Sequence, residues 1–164
     1  MIGLTPSQKG AAAEAAITSA VIQQGLTVLR PLCEVRRYDL IVDLEPTLLR
    51  VQCKLARRTR GVLSIRLQTS RYTPNGYVRA SYSATEIDAV GAYSPELGAC
   101  YLLPIGLVAG RCGIHLRVEP TGNNQADPTV PGYPATPGWD PVTGLGTPNA
   151  AKLLPDLVTA VNNP

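Results

Sequence analysis

Two short runs of alternating character, Tyr38 to Asp43 and Leu48 to Leu55, constrain this chain more than anything else in it. Each reads as a β-strand, and Leu44-Glu45-Pro46-Thr47 joins them. A hairpin closed by that four-residue loop pairs Asp43 with Leu48, Ile41 with Arg50 and Asp39 with Gln52. Side chains alternate along a strand, so one face carries Tyr38, Leu40, Val42, Leu49, Val51, Cys53 and Leu55, all suited to a core. The other face collects Asp39, Asp43, Arg50, Gln52 and Lys54. An acid, an amide and an amine therefore meet within cross-strand reach on one side of the sheet.

The hairpin sits in a chain that changes character near residue 120. Before that point helix and strand signals alternate. Thr5 suits an N-cap, Pro6 the first helical turn, and Gln8 the third position of a capping box. An alanine-rich run follows and Gly25 offers a stop. Ala13, Ile17, Ala20, Val21 and Gln24 share a mostly apolar face, with Glu14 beside it. Strands are expected at 26–30, 62–67, 88–93, 99–103 and 114–118, and short helical turns at 84–88 and 104–108. Arg71 to Tyr82, with Pro74-Asn75-Gly76, reads as a loop or hairpin tip. These elements describe an α+β, sandwich-like domain in which a helix packs on a sheet. After residue 120, 13 of 44 residues are Gly or Pro, the composition of a linker or tail. The expected division is a domain over 1–125 and a separate segment over 126–164.

Hydrophobic residues make up 45% of the 164, enough for a real core and too many for a wholly disordered chain. The longest uncharged apolar stretch, 99–109, is broken by Pro104 and Gly106 and is too short to span a membrane. No secretory signal pattern opens the sequence, and the four cysteines lack paired metal or redox spacing, so reduced thiols in the cytoplasm are expected. Residues 1–120 carry a net +5 and residues 121–164 a net −2. The stretch from Pro46 to Thr85 holds eight basic side chains and no acid: Arg50, Lys54, Arg57, Arg58, Arg60, Arg66, Arg71 and Arg79. A field of one sign on that scale suits a phosphate backbone better than an ordinary solvated surface, which interleaves both signs.

The polar face of the hairpin is a workable phosphodiesterase site. Hard divalent cations such as Mg²⁺ take oxygen ligands. Asp39 supplies the charge, Gln52 a neutral oxygen, and the Cys53 backbone carbonyl a third donor. A metal so held lowers the pKa of a bound water and offsets charge on the scissile phosphate. Lys54, on the same face as Gln52, positions that water or stabilises developing charge. Glu14 reaches a metal-bound water if the first helix packs at the sheet edge. A surface salt bridge between Asp39 and Lys54, worth less than about 1 kcal/mol, is the plainer alternative.

Taken together, Lys9-Gly10 with Glu14, then Arg37-Tyr38-Asp39-Leu40, then Arg50-Val51-Gln52-Cys53-Lys54, resemble the PD-(D/E)XK nuclease superfamily. The branch they are most similar to is that of intron-encoded homing endonucleases with a Gln-x-Lys motif. Pro104-Ile105, Leu116-Arg117 and Asn123-Asn124-Gln125 fit the same branch, so the resemblance covers about residues 5–125. It implies a restriction-endonuclease-like core with a mixed sheet, and Mg²⁺-dependent cleavage of double-stranded DNA. It places Glu14, Asp39, Gln52 and Lys54 in the active-site positions, and it implies assembly as a homo-oligomer on a long target. Most of the superfamily has an acid where Gln52 stands; the homing branch shares the glutamine, which removes one negative charge from the metal site. Arg57, Arg58, Arg60, Arg66 and Arg71 become candidates for DNA contact, with Arg66 and Arg71 nearest the hairpin tip.

The segment 131–160, with Gly132-Tyr133-Pro134-Ala135-Thr136-Pro137-Gly138-Trp139-Asp140-Pro141, resembles the C-terminal end of sedolisins, the serine-carboxyl peptidases. In that family the matching turn holds structural Ca²⁺, which would fall to the carbonyls of Thr136 and Gly138 and the carboxylate of Asp140. The peptidase's nucleophile, acid and base segments are missing here, as is its earlier acidic calcium ligand. Weak or no Ca²⁺ binding and no peptidase activity are expected. His115, the only histidine, is expected as a satisfied structural residue on a strand, and Cys53 as core. A DNA-binding module that has lost cleavage, and a non-functional fusion product, stand as rival readings.

Overall fold

A computed structural model describes residues 3–33 and 36–118, with the backbone alone at Arg71 and Tyr72. The segment 126–164 and its calcium candidates Thr136, Gly138 and Asp140 lie outside the described residues, as does Asn123-Asn124-Gln125.

Helix α1 (Pro6–Gln23) begins as its sequence dictates. The Thr5 hydroxyl accepts from the Gln8 N–H at 3.3 Å, and the Gln8 side chain accepts from the Thr5 N–H at 2.9 Å, closing a capping box. Gly25, at φ 80°, takes the left-handed turn that ends the helix. The chain continues through β1 (Thr27–Leu29), β2 (Leu40–Asp43), β3 (Leu48–Thr59) and β4 (Val62–Arg66). A separate two-stranded ribbon follows, β5 (Gln68–Thr73) and β6 (Gly76–Ser81), then β7 (Ala89–Ser94) and β8 (Ala99–Pro104). A single helical turn, α2 (Ile105–Val108), leads to β9 (Gly113–Arg117).

Every strand expected from the sequence is present, and so is the helical turn after Pro104. Residues 84–86 form a turn without becoming a helix, and the polar stretch around Pro74-Asn75-Gly76 is the tip of a long β5–β6 hairpin. The first hairpin pairs Asp43 with Leu48 and Ile41 with Arg50, the register set by its loop length. Strand β3 runs four residues past the expected Leu55 and joins the two halves of a seven-stranded sheet. It pairs antiparallel with β2 through its first residues, parallel with β7 over Val51–Leu55, and antiparallel with β4 over Ala56–Thr59. The one parallel ladder among antiparallel ones makes the sheet mixed.

Each face of this sheet has its own core. Under α1 lie Ile17, Leu40, Val42, Leu49, Val51, Cys53 and Ala89. On the opposite face Leu63, Ile65, Leu67, Tyr82, Ile87, Val90, Leu103 and Val108 form the larger cluster. Among the described residues, no helix is long and apolar enough to cross a membrane.

Gly91 is where α1 meets the sheet most closely. A Cβ there would lie 3.1 Å from Ile17 Cγ2 and 3.3 Å from Val51 Cγ1. The absent side chain is what lets the helix settle onto β7. Gly91→Val is therefore expected to destabilise the fold by about 1–3 kcal/mol through overpacking. Chemical denaturation should show this, and adding Ile17→Ala should cost less in that background than in the parent.

Candidate active site

The β2–β3 ladder opens at Asp39. Its N–H still donates to the Val51 carbonyl at 2.9 Å, but beyond it β2 has no residue to pair with Cys53. The Asp39 carboxylate fills that role: Oδ2 accepts from the Cys53 N–H at 2.8 Å and also from the Gln52 amide nitrogen. The carboxylate is thus fixed in the cleft where two strands diverge. Its other oxygen, Oδ1, accepts no hydrogen bond among the described residues. The Gln52 side chain is buried, at 9% exposure, and lies 3.4 Å from the Cys53 carbonyl.

Lys54 follows two residues on and so shares the face of Gln52. Its Nζ stands 5.2 Å from the centre of the Tyr82 ring. Burial lowers its pKa, an effect that the nearby Asp39 charge opposes and the Arg37 charge reinforces. Asp39 shows the complementary shift. Burial raises its pKa, against the pull of the Cys53 N–H, Lys54, Arg30 and Gln52. Both charges are held where water would otherwise stabilise them better.

Glu14 comes from α1, on the opposite face of the sheet, and approaches this end of it by pairing with Arg30, just beyond β1. Arg30 also acts on Asp39, which links the two carboxylates through one guanidinium. The Cys53 thiol points into the α1 core, and burial pushes its pKa up, so the sulfur stays protonated. Only its carbonyl is available as a ligand. Among the described residues, no three His, Cys, Asp or Glu side chains gather as a metal cluster. What converges on the cleft is a carboxylate, a backbone carbonyl and the Gln52 amide, whose nitrogen faces the other two here and whose oxygen would take that place if the amide turned over about its last bond. So turned, this all-oxygen set of low charge fits a hard cation that keeps several waters, as Mg²⁺ does.

Arg37 and Tyr82 complete the surroundings; the sequence set Arg37 beside the motif aspartate and Tyr82 at the end of a hairpin loop, and joined neither of them to Lys54. Arg37 donates to Thr69 Oγ1 at 2.5 Å and to the Ser81 carbonyl at 2.8 Å, pairs with Glu86 at 3.1 Å, and lies 4.7 Å from the Tyr82 ring centre. Tyr82 is 2% exposed, and burial pushes its phenol up to about 12. The spacing of Tyr82 in the sequence gave no sign that its ring would turn back onto β3.

The basic run between residues 46 and 85 separates into different surfaces. Arg50 makes no open cationic patch: its guanidinium grips Asp88 at 2.7 and 2.9 Å and the Thr85 carbonyl at 2.7 Å. Alternation along β3 puts Arg58 on the side of Gln52 and Lys54, and Arg57 on the other. Cross-strand pairing joins Arg57 to Ser64 and Ser64 to His115, and Arg66 and Arg117 share that face. Arg57, Arg66, His115 and Arg117 are all exposed there. His115 is on a strand as expected, and it faces solvent. Arg60 occupies the β3–β4 turn at φ 49°, and the Arg71 side chain lies outside the described residues.

The comparisons with known proteins agree with this geometry. A family model described as PD-(D/E)XK endonuclease matches residues 4–130, and the chain belongs to that family. A solved structure of a bacterial homing endonuclease, I-Ssp6803I, matches with a TM-score of 0.63 and 26% identity, over 75% of this chain and 84% of that one. The α+β architecture is accordingly restriction-endonuclease-like, and a nuclease is the class of enzyme that this membership defines. Nucleases of this family generally use divalent metal ions. The tripeptidyl-peptidase SED1 of Arthroderma otae is 54% identical over 33 residues, a stretch that spans 20% of this chain and 5% of that protein. So short a match extends only to a fragment of the peptidase.

Asp39 and Asp88 titrate with opposite consequences. A carboxyl that binds its proton more tightly when folded stabilises the fold in acid and loses that contribution as pH rises through its raised value. Asp39 is such a group. Burial also opposes ionisation of Asp88, but the Arg50 side chain and N–H outweigh it and hold its pKa low. The stability it confers is present above the ordinary carboxylate value and is lost as pH falls through the lowered one. At neutral pH, Asp39→Asn should raise the melting temperature of the metal-free protein. Asp88→Asn should cost about 1–3 kcal/mol. Thermal melts between acid and neutral pH check both, and each difference should shrink in acid.

Proposed function

We propose that this protein is a divalent-metal-dependent, sequence-selective endonuclease of double-stranded DNA. The observation that carries the reading is the Asp39 carboxylate locked against Gln52 and the Cys53 N–H, with Lys54 on the same face of β3. Asp39 Oδ1, the Gln52 amide oxygen and the Cys53 carbonyl would hold Mg²⁺, and Glu14 would bind a water of its shell. When bound, the metal supplies a Lewis acid for the phosphate and a more acidic water.

The chain's own residues do the rest. Asp39 and Gln52 set where the ion and the scissile phosphate sit, and their half-buried cleft keeps bulk water away from both. Lys54 lies close enough to Asp39 for their charges to interact, and its ammonium offsets negative charge that builds on the phosphate. Its lowered pKa also eases proton transfer to the leaving oxygen. Arg58, exposed on the same face further along β3, is placed to meet the backbone of the bound strand. A long DNA target, a homo-oligomer that spans it and a cytoplasmic setting belong to the same proposal, of which the family match and the homing-endonuclease neighbour support DNA as the substrate.

Purified full-length protein, a plasmid library, and Mg²⁺ or EDTA test this. Wild type should cut at a fixed site only with Mg²⁺. Asp39→Ala should abolish cutting and any rise in melting temperature on adding Mg²⁺. Lys54→Ala should keep that thermal response while losing at least ~100-fold in turnover. Salt-sensitive DNA binding without any metal-dependent cut would favour a binding module in place of the enzyme.

A further inference from the structure

The ring of Tyr82 touches two cations at once. Lys54 Nζ is 5.2 Å and the Arg37 guanidinium carbon 4.7 Å from its centre, both within cation–π range. Lys54 forms no ion pair with a carboxylate among the described residues. What holds its ammonium near Asp39 is therefore the aromatic face and the strand that carries it. The Tyr82 hydroxyl is buried without a hydrogen-bond partner among the described residues. With nothing bonded to it, the hydroxyl is not what holds the Lys54 ammonium. The ring, and not the hydroxyl, is thus what the site uses.

Arg37 fixes that ring. It spans from Thr69 in β5 to the carbonyl of Ser81 at the end of β6, and to Glu86 beyond. Ser81 immediately precedes Tyr82, so one guanidinium ties the base of the β5–β6 hairpin to the ring that Lys54 rests on. We propose that Tyr82 is a positioning residue for Lys54, acting through the face of its ring, and that Arg37 locks this ring to the base of the β5–β6 hairpin. The inference rests on the nuclease reading for its consequence in turnover. The arrangement of ring and ammonium stands independently of it.

The chain has three lysines, Lys9, Lys54 and Lys152, so a protein labelled with ¹³C at lysine Cε gives three side-chain signals that single substitutions assign. The Lys54 ε-methylene protons should be shifted upfield by the ring current in wild type and in Tyr82→Phe, and should return to the ordinary position in Tyr82→Leu. In cleavage assays Tyr82→Phe should match wild type and melt no lower. Tyr82→Leu should lose about ten-fold in kcat with KM for DNA unchanged. A merely structural role would lower stability without this split and without rescue by phenylalanine. Should Tyr82→Leu not fold, Tyr82→Met carries the same comparison.

An unshifted Lys54 signal in wild type overturns the proposal whatever the protein cleaves. So does a folded Tyr82→Leu with wild-type kcat. A shifted signal in a protein that cuts no DNA supports the ring–ammonium contact and overturns the nuclease reading instead.

Discussion

The backbone of β3 bonds to three other strands, and almost every functional feature follows from that sharing. Its first residues pair with β2, its middle with β7 and its last with β4. A strand enclosed in this way has both faces covered, so its alternation is read twice. Val51 and Cys53 enter the core beneath α1, while Ala56 enters the core on the opposite face. Gln52 and Lys54 project to that second side as well, at the rim of its apolar cluster. Their partial burial is therefore a consequence of topology, and it would persist with other side chains in their place.

Burial at that rim is unfavourable to both charges. Asp39 is pushed toward its neutral form and Lys54 toward its own, and each is drawn back by the other. The arrangement stores a cost that a bound cation relieves, since a positive ion beside Asp39 restores what water no longer supplies. Stability elsewhere offsets it. The Arg50–Asp88 clamp, with Arg50 bonded also to the Thr85 carbonyl, fastens the turn before β7 to β3 and favours both charges it contains. An ion pair that supports the fold and a carboxylate pushed toward its neutral form thus both bond to β3, through Arg50 and the Cys53 N–H. What separates them is whether a guanidinium reaches the carboxylate directly.

Much of this was legible in the sequence because its signals were local. The Thr5–Gln8 capping box and the register of Asp43 with Leu48 depend on residues a few positions apart, and both are present. The meeting of Asp39 with Gln52 follows from that register, so the cleft could be reached from alternation alone. Arg37 and Tyr82 could not. Their partners lie 32 and 44 residues away for Arg37, and the Tyr82 ring reaches Lys54 only because β5 and β6 fold back as a ribbon. His115 stands on a strand, as its neighbours suggested, and which way it faces follows from alternation. Alternation along β9 buries Leu116 and turns His115 outward.

The arginine run shows most clearly how far linear charge can differ from a surface. Eight basic residues over 46–85 look like one cationic field, yet a strand sends adjacent side chains to opposite sides. Arg50 is taken up by Asp88, and Lys54 by the cleft. Arg58 remains on the side of Gln52 and Lys54, while Arg57 joins Arg66, His115 and Arg117 across the sheet. Two of these four, His115 and Arg117, come from a strand beyond the end of the run, so the outer face belongs to the fold and not to the run. Under the proposed function, a phosphate backbone on this side meets Lys54 among the cations that the described residues supply. The exact orientation of that one ammonium, resting on the Tyr82 ring, then matters more than the total charge of the chain.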